Sequence, residues 1–316
     1  MTAQTLAVNT LTDSNALLGN PAAIKRRWNE DGVLFFREVI DPTMIAWAES
    51  KFRQALANED LIDPAVDALV WTGNAPKTRR PCDAIGTEVW HEFVKLPLLN
   101  DLMRTIMEDE PVWIPIVGHR SSLPTGPIAE GQDVFAGRHQ DSYFSRGMHY
   151  IVCWMPIKDA ALDAGSFAVA PKMHNVGNMY NEDMSMRIDA VPDVDWRSAN
   201  FRAGDLLVFD YYTPHATLPN PSNQIRISLD VRAVPASSPR PVTGEVVSVT
   251  GTDVKVRTEE GDLVDVHVTD ETYIRDMNPF PRIPTAELDR IAYPGAHVMA
   301  TVDEHGNAAI IRRNFY

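Results

Sequence analysis

After Pro111 the chain is written as short apolar runs separated by turn signals, at residues 112–117, 134–135, 149–157, 166–170, 206–209 and 225–232. Runs this short, recurring at this spacing, predict an antiparallel β-sandwich or barrel. Between the fourth and fifth runs, residues 175–200 are acidic and Met-rich with no clear periodicity. A long insertion of that kind is usually functional or mobile. Met179, Met184 and Met186 within it would form a lid, or simply pack the surface of a loop.

The flanking parts have a different character. Residues 1–20 are a polar N-terminus. From Pro21, Ile24 and Trp28 at helical spacing lead to the turn Asp31-Gly32 and a short strand at 33–36. Asp41-Pro42 has the form of a helix start, and Ile45, Ala48, Phe52 and Leu56 give the segment behind it one apolar face. Residues 59–82 read as loop and 87–108 as a second helical stretch. At the other end, the Pro- and Ser-rich residues 235–241 read as a linker. Beyond it, about five alternating strands with turns at Gly251, Gly261 and Gly306-Asn307 predict a small closed β-barrel of the OB or SH3-like kind. The expected organisation is therefore a main domain over 21–235, a linker at 236–241 and a barrel over 242–316.

Charge narrows the partners. The 316 residues hold 43 acidic and 29 basic side chains, a formal charge of −14. Nucleic acid requires a basic face, so this balance disfavours it. The last 77 residues, with 13 acidic and 8 basic side chains, share that exclusion, which leaves packing or homo-oligomerisation as the expected role of the barrel. Cys82 and Cys153 are too few for a disulfide framework or a zinc module. No apolar run approaches the roughly 18–20 residues of a membrane span, and the first twenty residues contain no Lys or Arg. A cytoplasmic protein with no membrane partner is expected. A small anionic substrate stays open, because one buried arginine can outweigh a whole surface locally.

One constellation carries chemistry. In Arg138-His139-Gln140-Asp141, an extended strand would place His139 and Asp141 on one face, able to grip one ion together. A third ligand is available in His215, after the strand at 206–209. Eleven residues further on, Arg226-Ile227-Ser228 offers a second pair at alternate positions. Two histidines and one carboxylate on one face of a metal leave three positions open, the facial triad of non-haem Fe(II) oxygenases. Arg226 and Ser228 would then hold a dicarboxylate by charge-assisted bonds. Taken alone, an H-x-D tripeptide is common, and a single His215 is more often a core or turn histidine. The ordered set is far more specific.

The surrounding phrases resemble the phytanoyl-CoA dioxygenase-like family of Fe(II)/2-oxoglutarate oxygenases. The likeness covers roughly residues 22–235. It includes Asp31-Gly32-Val33-Leu34-Phe35, His139-Gln140-Asp141, the stretch from Trp154-Met155-Pro156 to Pro171-Lys172-Met173-His174, and Gly204-Asp205-Leu206 to Phe209 before His215. Lys172-Met173 replaces the Gly-Ser expected before His174. The resemblance implies a mainly β fold with flanking helices, a double-stranded β-helix (jelly-roll, cupin-like) core. It maps His139, Asp141 and His215 onto metal ligands, Arg226 onto the residue pairing the distal carboxylate of 2-oxoglutarate, and Ser228 onto its helper. It also implies Fe(II), 2-oxoglutarate and O2 as cofactor and cosubstrates, and a small-molecule substrate oxidised at an unactivated C–H bond with release of succinate and CO2. Hydroxylation leads, with desaturation, cyclisation or epimerisation as alternatives. Halogenation is not expected, because related halogenases replace the carboxylate that Asp141 supplies.

The same resemblance brings His119 and Arg120 near the substrate, while Tyr143, Phe144 and Trp154 are either pocket-lining or core aromatics. His91-Glu92 lacks the second histidine of a zincin. His174 reads as a turn histidine, and the Lys77–Arg80 run as a solvated loop. Two other readings stand beside the leading one. A jelly-roll isomerase, or a dioxygenase without 2-oxoglutarate, would not need Arg226. A non-catalytic binding protein would keep the fold alone.

Overall fold

The chain enters through a two-residue strand, β1 (Asn9–Thr10), and two helices that each begin on an Asx residue followed by proline. In α1 (Pro21–Asp31) the Asn20 side chain accepts the amide of Ala23, and in α2 (Pro42–Asn58) Asp41 accepts that of Thr43. Such residues cap the free N–H groups of a first turn, where proline has none to lose. Gly32 ends α1 at φ +63°, in the left-handed region, and the ring of His174 occupies the space a Cβ would need there. The Asp31-Gly32 pair thus turns the chain straight into β2 (Val33–Phe36), all four residues of which are buried. The helical stretch expected over 87–108 is two helices, α3 (Glu88–Phe93) and α4 (Pro97–Met107). Pro97 opens the second, and the residue before a proline avoids helical geometry.

The computed structural model describes residues 8–135, 137–179, 194–276 and 282–314. They fall into two units, Met1–Asp141 with Ile151–Ala233, and Ser142–Tyr150 with Val234–Tyr316. The first unit continues through β3 (Pro111–Ser122), the four-residue helix α5 (Asp141–Phe144, of which Asp141 alone belongs to this unit), β4 (Ile151–Pro156), β5 (Phe167–Val169), β6 (Arg197–Ser198), β7 (Leu206–Asp210), β8 (His215–Thr217) and β9 (Arg226–Pro235, in this unit as far as Ala233). These form a five-stranded sheet, β2-β7-β4-β9-β3, and a four-stranded sheet, β1-β6-β5-β8. Rings join them: Trp154 of β4 stacks on Phe167 of β5 at 4.9 Å, and Phe209 of β7 lies 4.9 Å from His215 of β8. Two β-sheets closed over a shared interior and flanked by helices make the antiparallel sandwich that the strand spacing predicts and the jelly-roll core that the family resemblance implies.

The expected strand at 134–135 does not form. Asp133 accepts the amide of Phe135 in an Asx turn, and Phe135 stacks on Trp196 at 4.5 Å instead. Met179 is buried beside Ala170 and Met173, whereas Met184 and Met186 lie outside the described residues.

In the second unit, β10 (Val242–Thr250), β11 (Asp253–Thr258), β12 (Leu263–His267), β13 (Tyr273–Arg275), β14 (His297–Val302) and β15 (Ala308–Arg313) make one sheet in the order β12-β11-β10-β14-β15-β13. Alternation sets its inner face: Val254 and Val256 are fully buried among Val246, Val266, Val298 and Ile311, while Asp253 and Arg257 are exposed. The closed barrel is a correction. Among the described residues no ladder joins β12 to β13. The sixth strand, missed because it spans only three residues, pairs in parallel outside β15 and leaves the two ends apart. An isolated bridge, His267 to Asn307, ties β12 to the turn before β15. The segment Ser142–Tyr150 belongs to this unit. Its Arg146 guanidinium lies 5.1 Å from the Tyr143 ring and 4.7 Å from that of Tyr273, and Thr301 donates to the Arg146 carbonyl at 2.7 Å.

Candidate metal centre

His139 and His215 are held by a reciprocal pair of backbone hydrogen bonds, each amide donating to the other's carbonyl at 2.9 Å. Residues paired this way in an antiparallel bridge project to the same side, and the two imidazole centroids are 4.2 Å apart. Each ring is fixed further by its own chain. His139 Nδ1 lies 2.9 Å from the Gly137 carbonyl, and His215 Nδ1 lies 3.0 Å from that of Thr213. A carbonyl only accepts, so each Nδ1 carries the proton and each Nε2 keeps its lone pair. Both Nε2 atoms face Asp141 Oδ1, at 3.8 and 3.7 Å. These distances are too long for hydrogen bonds and suit three donors around one cation. The three donor atoms lie within 4.8 Å of one another, the one such group among the described residues.

Asp141 reaches this position by a route the sequence reading did not foresee. Instead of following His139 along a strand, the chain turns into α5 at Asp141, which brings the carboxylate back to the two rings. Gln140, between them, is fully buried. It donates to the carbonyls of Gly177 and Tyr212 at 2.9 and 2.6 Å and accepts the Met179 amide at 2.8 Å. The middle residue of the motif therefore pins the loop that carries it.

The other carboxylate oxygen, Asp141 Oδ2, is taken by Arg232, whose Nε and terminal NH2 donate to it at 3.0 and 2.8 Å. Arg232 also donates to Asp230 Oδ2 at 2.6 Å and to the Ile116 carbonyl at 2.9 Å. Asp230 Oδ1 in turn accepts from Arg120 Nε at 3.1 Å. A chain of alternating charges, Arg120–Asp230–Arg232–Asp141, thus ends at the metal group and leaves one oxygen of Asp141 to point at it. Neighbours that orient a ligand in this way tune a metal site as much as the ligands do.

All four polar residues of β9 share one face. Arg226, Ser228, Asp230 and Arg232 alternate with Ile227, Leu229, Val231 and Ala233, yet every one of the eight is buried. An alternating strand with both faces covered must turn its polar face to an interior space. That space is a cavity of about 330 Å3 bounded by His139, Asp141, His215, Trp154, Arg226 and Arg120, among others. Arg226 donates from Nε to the Gly165 carbonyl at 2.9 Å and from a terminal nitrogen to Ser228 Oγ, with Trp154 5.8 Å away. Among the described residues it makes no ion pair, unlike Arg120 and Arg232. A buried guanidinium without a carboxylate, facing a cavity, is suited to receive one from a ligand.

Of the residues flagged from sequence, the structure brings His139, Asp141, His215, Arg226, Arg120 and Trp154 to this cavity. Ser228 lies beside it, bonded to Arg226. His119, Tyr143 and Phe144 are not among its lining. His119 packs edge-on against Phe52 at 5.8 Å, and Tyr143 and Phe144 belong to the second unit. Asp230, Arg232 and Gln140 were missed. The first two continue the R-x-S alternation as R-x-S-x-D-x-R, a signal present in the sequence and read only halfway. Nothing local marks Gln140.

The protonation states suit a cation. Burial, then the neighbouring His139, pushes His215 down to about 3, and burial lowers His139 as well. Burial alone would raise Asp141, but Arg232, His215 and His139 outweigh it and hold the carboxylate well below its ordinary range. Two neutral imidazoles and one carboxylate are the forms a metal requires. His119, away from the group, is pushed down to about 4, mainly by burial. Unfolded histidine binds a proton near pH 6.5, so between 6.5 and 4 the unfolded chain holds the extra proton. Stability should therefore fall as pH drops through that window and be unaffected above it, with His119 contributing at most about 3 kcal/mol. Urea midpoints of the metal-free protein at pH 7.5 and 5 would read this, and the drop should be smaller in His119→Phe.

Residues 28–228, which include the three metal-group residues, Arg226 and Ser228, match the family described as Phytanoyl-CoA dioxygenase (PhyH). The chain belongs to the phytanoyl-CoA dioxygenase family. Among curated relatives, it is 23% identical over 254 residues to 1-deoxypentalenic acid 11-beta-hydroxylase of Streptomyces exfoliatus, covering 72% of this chain and 86% of the relative. The protein of the same name from Streptomyces arenae is 23% identical over 251 residues, with the same coverage. Among solved structures, the epimerase SnoN, determined with Fe3+, alpha ketoglutarate and nogalamycin RO, superposes with a TM-score of 0.51 at 16% identity, over 69% of this chain and 86% of SnoN. The carbocyclase SnoK gives 0.50 at 14% identity, over 74% and 85%. These two likenesses are of fold. The phytanoyl-CoA dioxygenase match ends before Asp230 and Arg232 and before the whole of β10–β15.

Proposed function

We propose that this chain is an Fe(II)- and 2-oxoglutarate-dependent dioxygenase that hydroxylates an unactivated C–H bond of a small molecule. The observation that carries this is the pairing, in one cavity, of the His139–Asp141–His215 group with a buried arginine that lacks a carboxylate. Family membership and the hydroxylase names of the curated relatives support it.

When bound, iron and 2-oxoglutarate supply the oxidising power, consuming O2 and releasing succinate and CO2 as one oxygen atom becomes available to the substrate. The chain's own residues do the rest. His139, His215 and Asp141 Oδ1 would hold the metal. Arg226, with Ser228 beside it, would take the distal carboxylate of 2-oxoglutarate. Trp154, Phe167 and Phe209 line the cavity with rings and keep water from the reacting bond. The second unit contributes no such group among its described residues, and packing or self-association is its proposed role.

The test is anaerobic. Adding Fe(II) and 2-oxoglutarate to the wild type should produce a charge-transfer absorption, and His215→Ala should lose it together with at least tenfold in metal affinity. Slow succinate release in air would follow for the wild type. No absorption and no 2-oxoglutarate consumption with the triad intact would leave a binding protein. With a substrate in hand, gain of one oxygen atom marks hydroxylation, and loss of two hydrogens marks desaturation or cyclisation.

A further inference from the structure

We propose that the substrate carries a single negative charge, a carboxylate, and that Arg120 receives it. The inference deepens the 2-oxoglutarate reading and rests on it.

The argument is one of charge. The cavity is lined by three guanidinium groups, Arg120, Arg226 and Arg232, and two carboxylates, Asp141 and Asp230. With both histidines neutral, the walls carry one positive charge. A divalent metal and a dicarboxylate cosubstrate cancel each other, so the loaded cavity keeps that charge beside Val152, Trp154, Phe167 and Phe209. A cavity whose walls keep an excess of one sign favours a ligand of the opposite sign.

Geometry says where the surplus lies. Asp141 is shared between the metal group and Arg232, and Asp230 between Arg232 and Arg120. Arg226 is met by the cosubstrate. The open end of the chain is Arg120. It uses one of its five N–H donors, Nε, on Asp230. Among the described residues its two terminal NH2 groups bond no acceptor, and 48% of the side chain is exposed. It can therefore be reached from solvent while still lining the cavity.

The position is built. Arg120 follows Gly118 by two residues on β3, so both project to one face. A Cβ on Gly118 would overlap both Asp230 Oδ1 and Arg120 Nε. The bare backbone at Gly118 makes room for the pair that aims Arg120. A single residual charge selects a monoanion, so a carboxylate fits better than a doubly charged phosphate ester.

The experiment uses the full chain loaded anaerobically with Fe(II) and saturating 2-oxoglutarate, which keeps Arg226 occupied. Probes are matched pairs on one skeleton: cyclohexanecarboxylate against cyclohexanecarboxamide, benzoate against benzamide, octanoate against octanamide, with benzyl phosphate as the dianion. Binding is read as perturbation of the charge-transfer absorption. At least one carboxylate should perturb it and bind tenfold or more tighter than its amide. Arg120→Gln should abolish that preference while the absorption still forms, Arg120→Lys should keep part of it, and Gly118→Ala should weaken it. Equal binding of the members of every pair, no carboxylate binding, a preference for benzyl phosphate, or a preference that survives Arg120→Gln would each overturn the proposal. Failure of the absorption to form in the wild type would instead overturn the 2-oxoglutarate reading, and the proposal with it.

Discussion

Arg226→Met should lose 2-oxoglutarate and keep the fold. Removing one partner of a buried, charge-assisted contact costs about 3–5 kcal/mol, roughly two to three and a half powers of ten in Kd. The apo protein should not share the penalty. Arg226 is buried without a carboxylate, and burial, then the charge of Arg120, pushes its pKa down to about 10. The guanidinium is thus held at some cost until an anion arrives. Methionine fills similar space without charge, so the melting temperature of the apo variant should be equal or higher. Titration of 2-oxoglutarate into the Fe(II)-loaded protein, beside thermal unfolding of the apo protein, separates the two effects. A variant that binds 2-oxoglutarate normally would remove Arg226 from the site.

Six residues along the same strand, Arg232→Met should do the opposite to stability. Arg232 is as buried as Arg226, but its donors are committed to Asp141 and Asp230. Taking it away strands the buried carboxylate of Asp141 and leaves Asp230 with Arg120 alone. Asp230 shows how far the arginines matter: burial would raise it, yet Arg120 and Arg232 bring it down to about 2. Breaking such a network costs about 3–5 kcal/mol, on the order of 10 °C in Tm for a unit of this size. Lysine should not restore it, since one ammonium cannot reproduce the fork that reaches Asp141 and Asp230 together. Apo melting temperatures of the two variants, measured side by side, would decide it. Equal behaviour of Arg226→Met and Arg232→Met would contradict the charge network.

Much of this site is legible in the amino-acid order. H-x-D, a later histidine and R-x-S stand in sequence, and the structure gathers their side chains around one cavity. Helical spacing from Pro21 placed α1, Asp41-Pro42 marked the start of α2, and Val33–Phe36 was read to the residue. What escaped is what depends on distant chain. Alternation along β9 suggests a half-exposed strand, and only coverage of both faces turns its charges inward. The helical turn at Asp141 depends on Gln140 reaching Gly177 and Tyr212, 37 and 72 residues away. The barrel was over-read because alternation specifies strands without saying whether the last one returns to the first.

The short segment Ser142–Tyr150 has a consequence for any attempt to divide the protein. The backbone passes from one unit to the other three times, after Asp141, after Tyr150 and after Ala233. A fragment ending at Ala233 would keep Tyr143, Phe144 and Arg146 but lose Tyr273, Arg275 and Thr301, the residues those side chains and backbone meet. Two aromatic rings would be left bare within three residues of Asp141. Residues 234–316 are therefore no removable tail. Trimming them trades a smaller protein for an orphaned apolar patch, and transplanting them onto another scaffold would require three splice points.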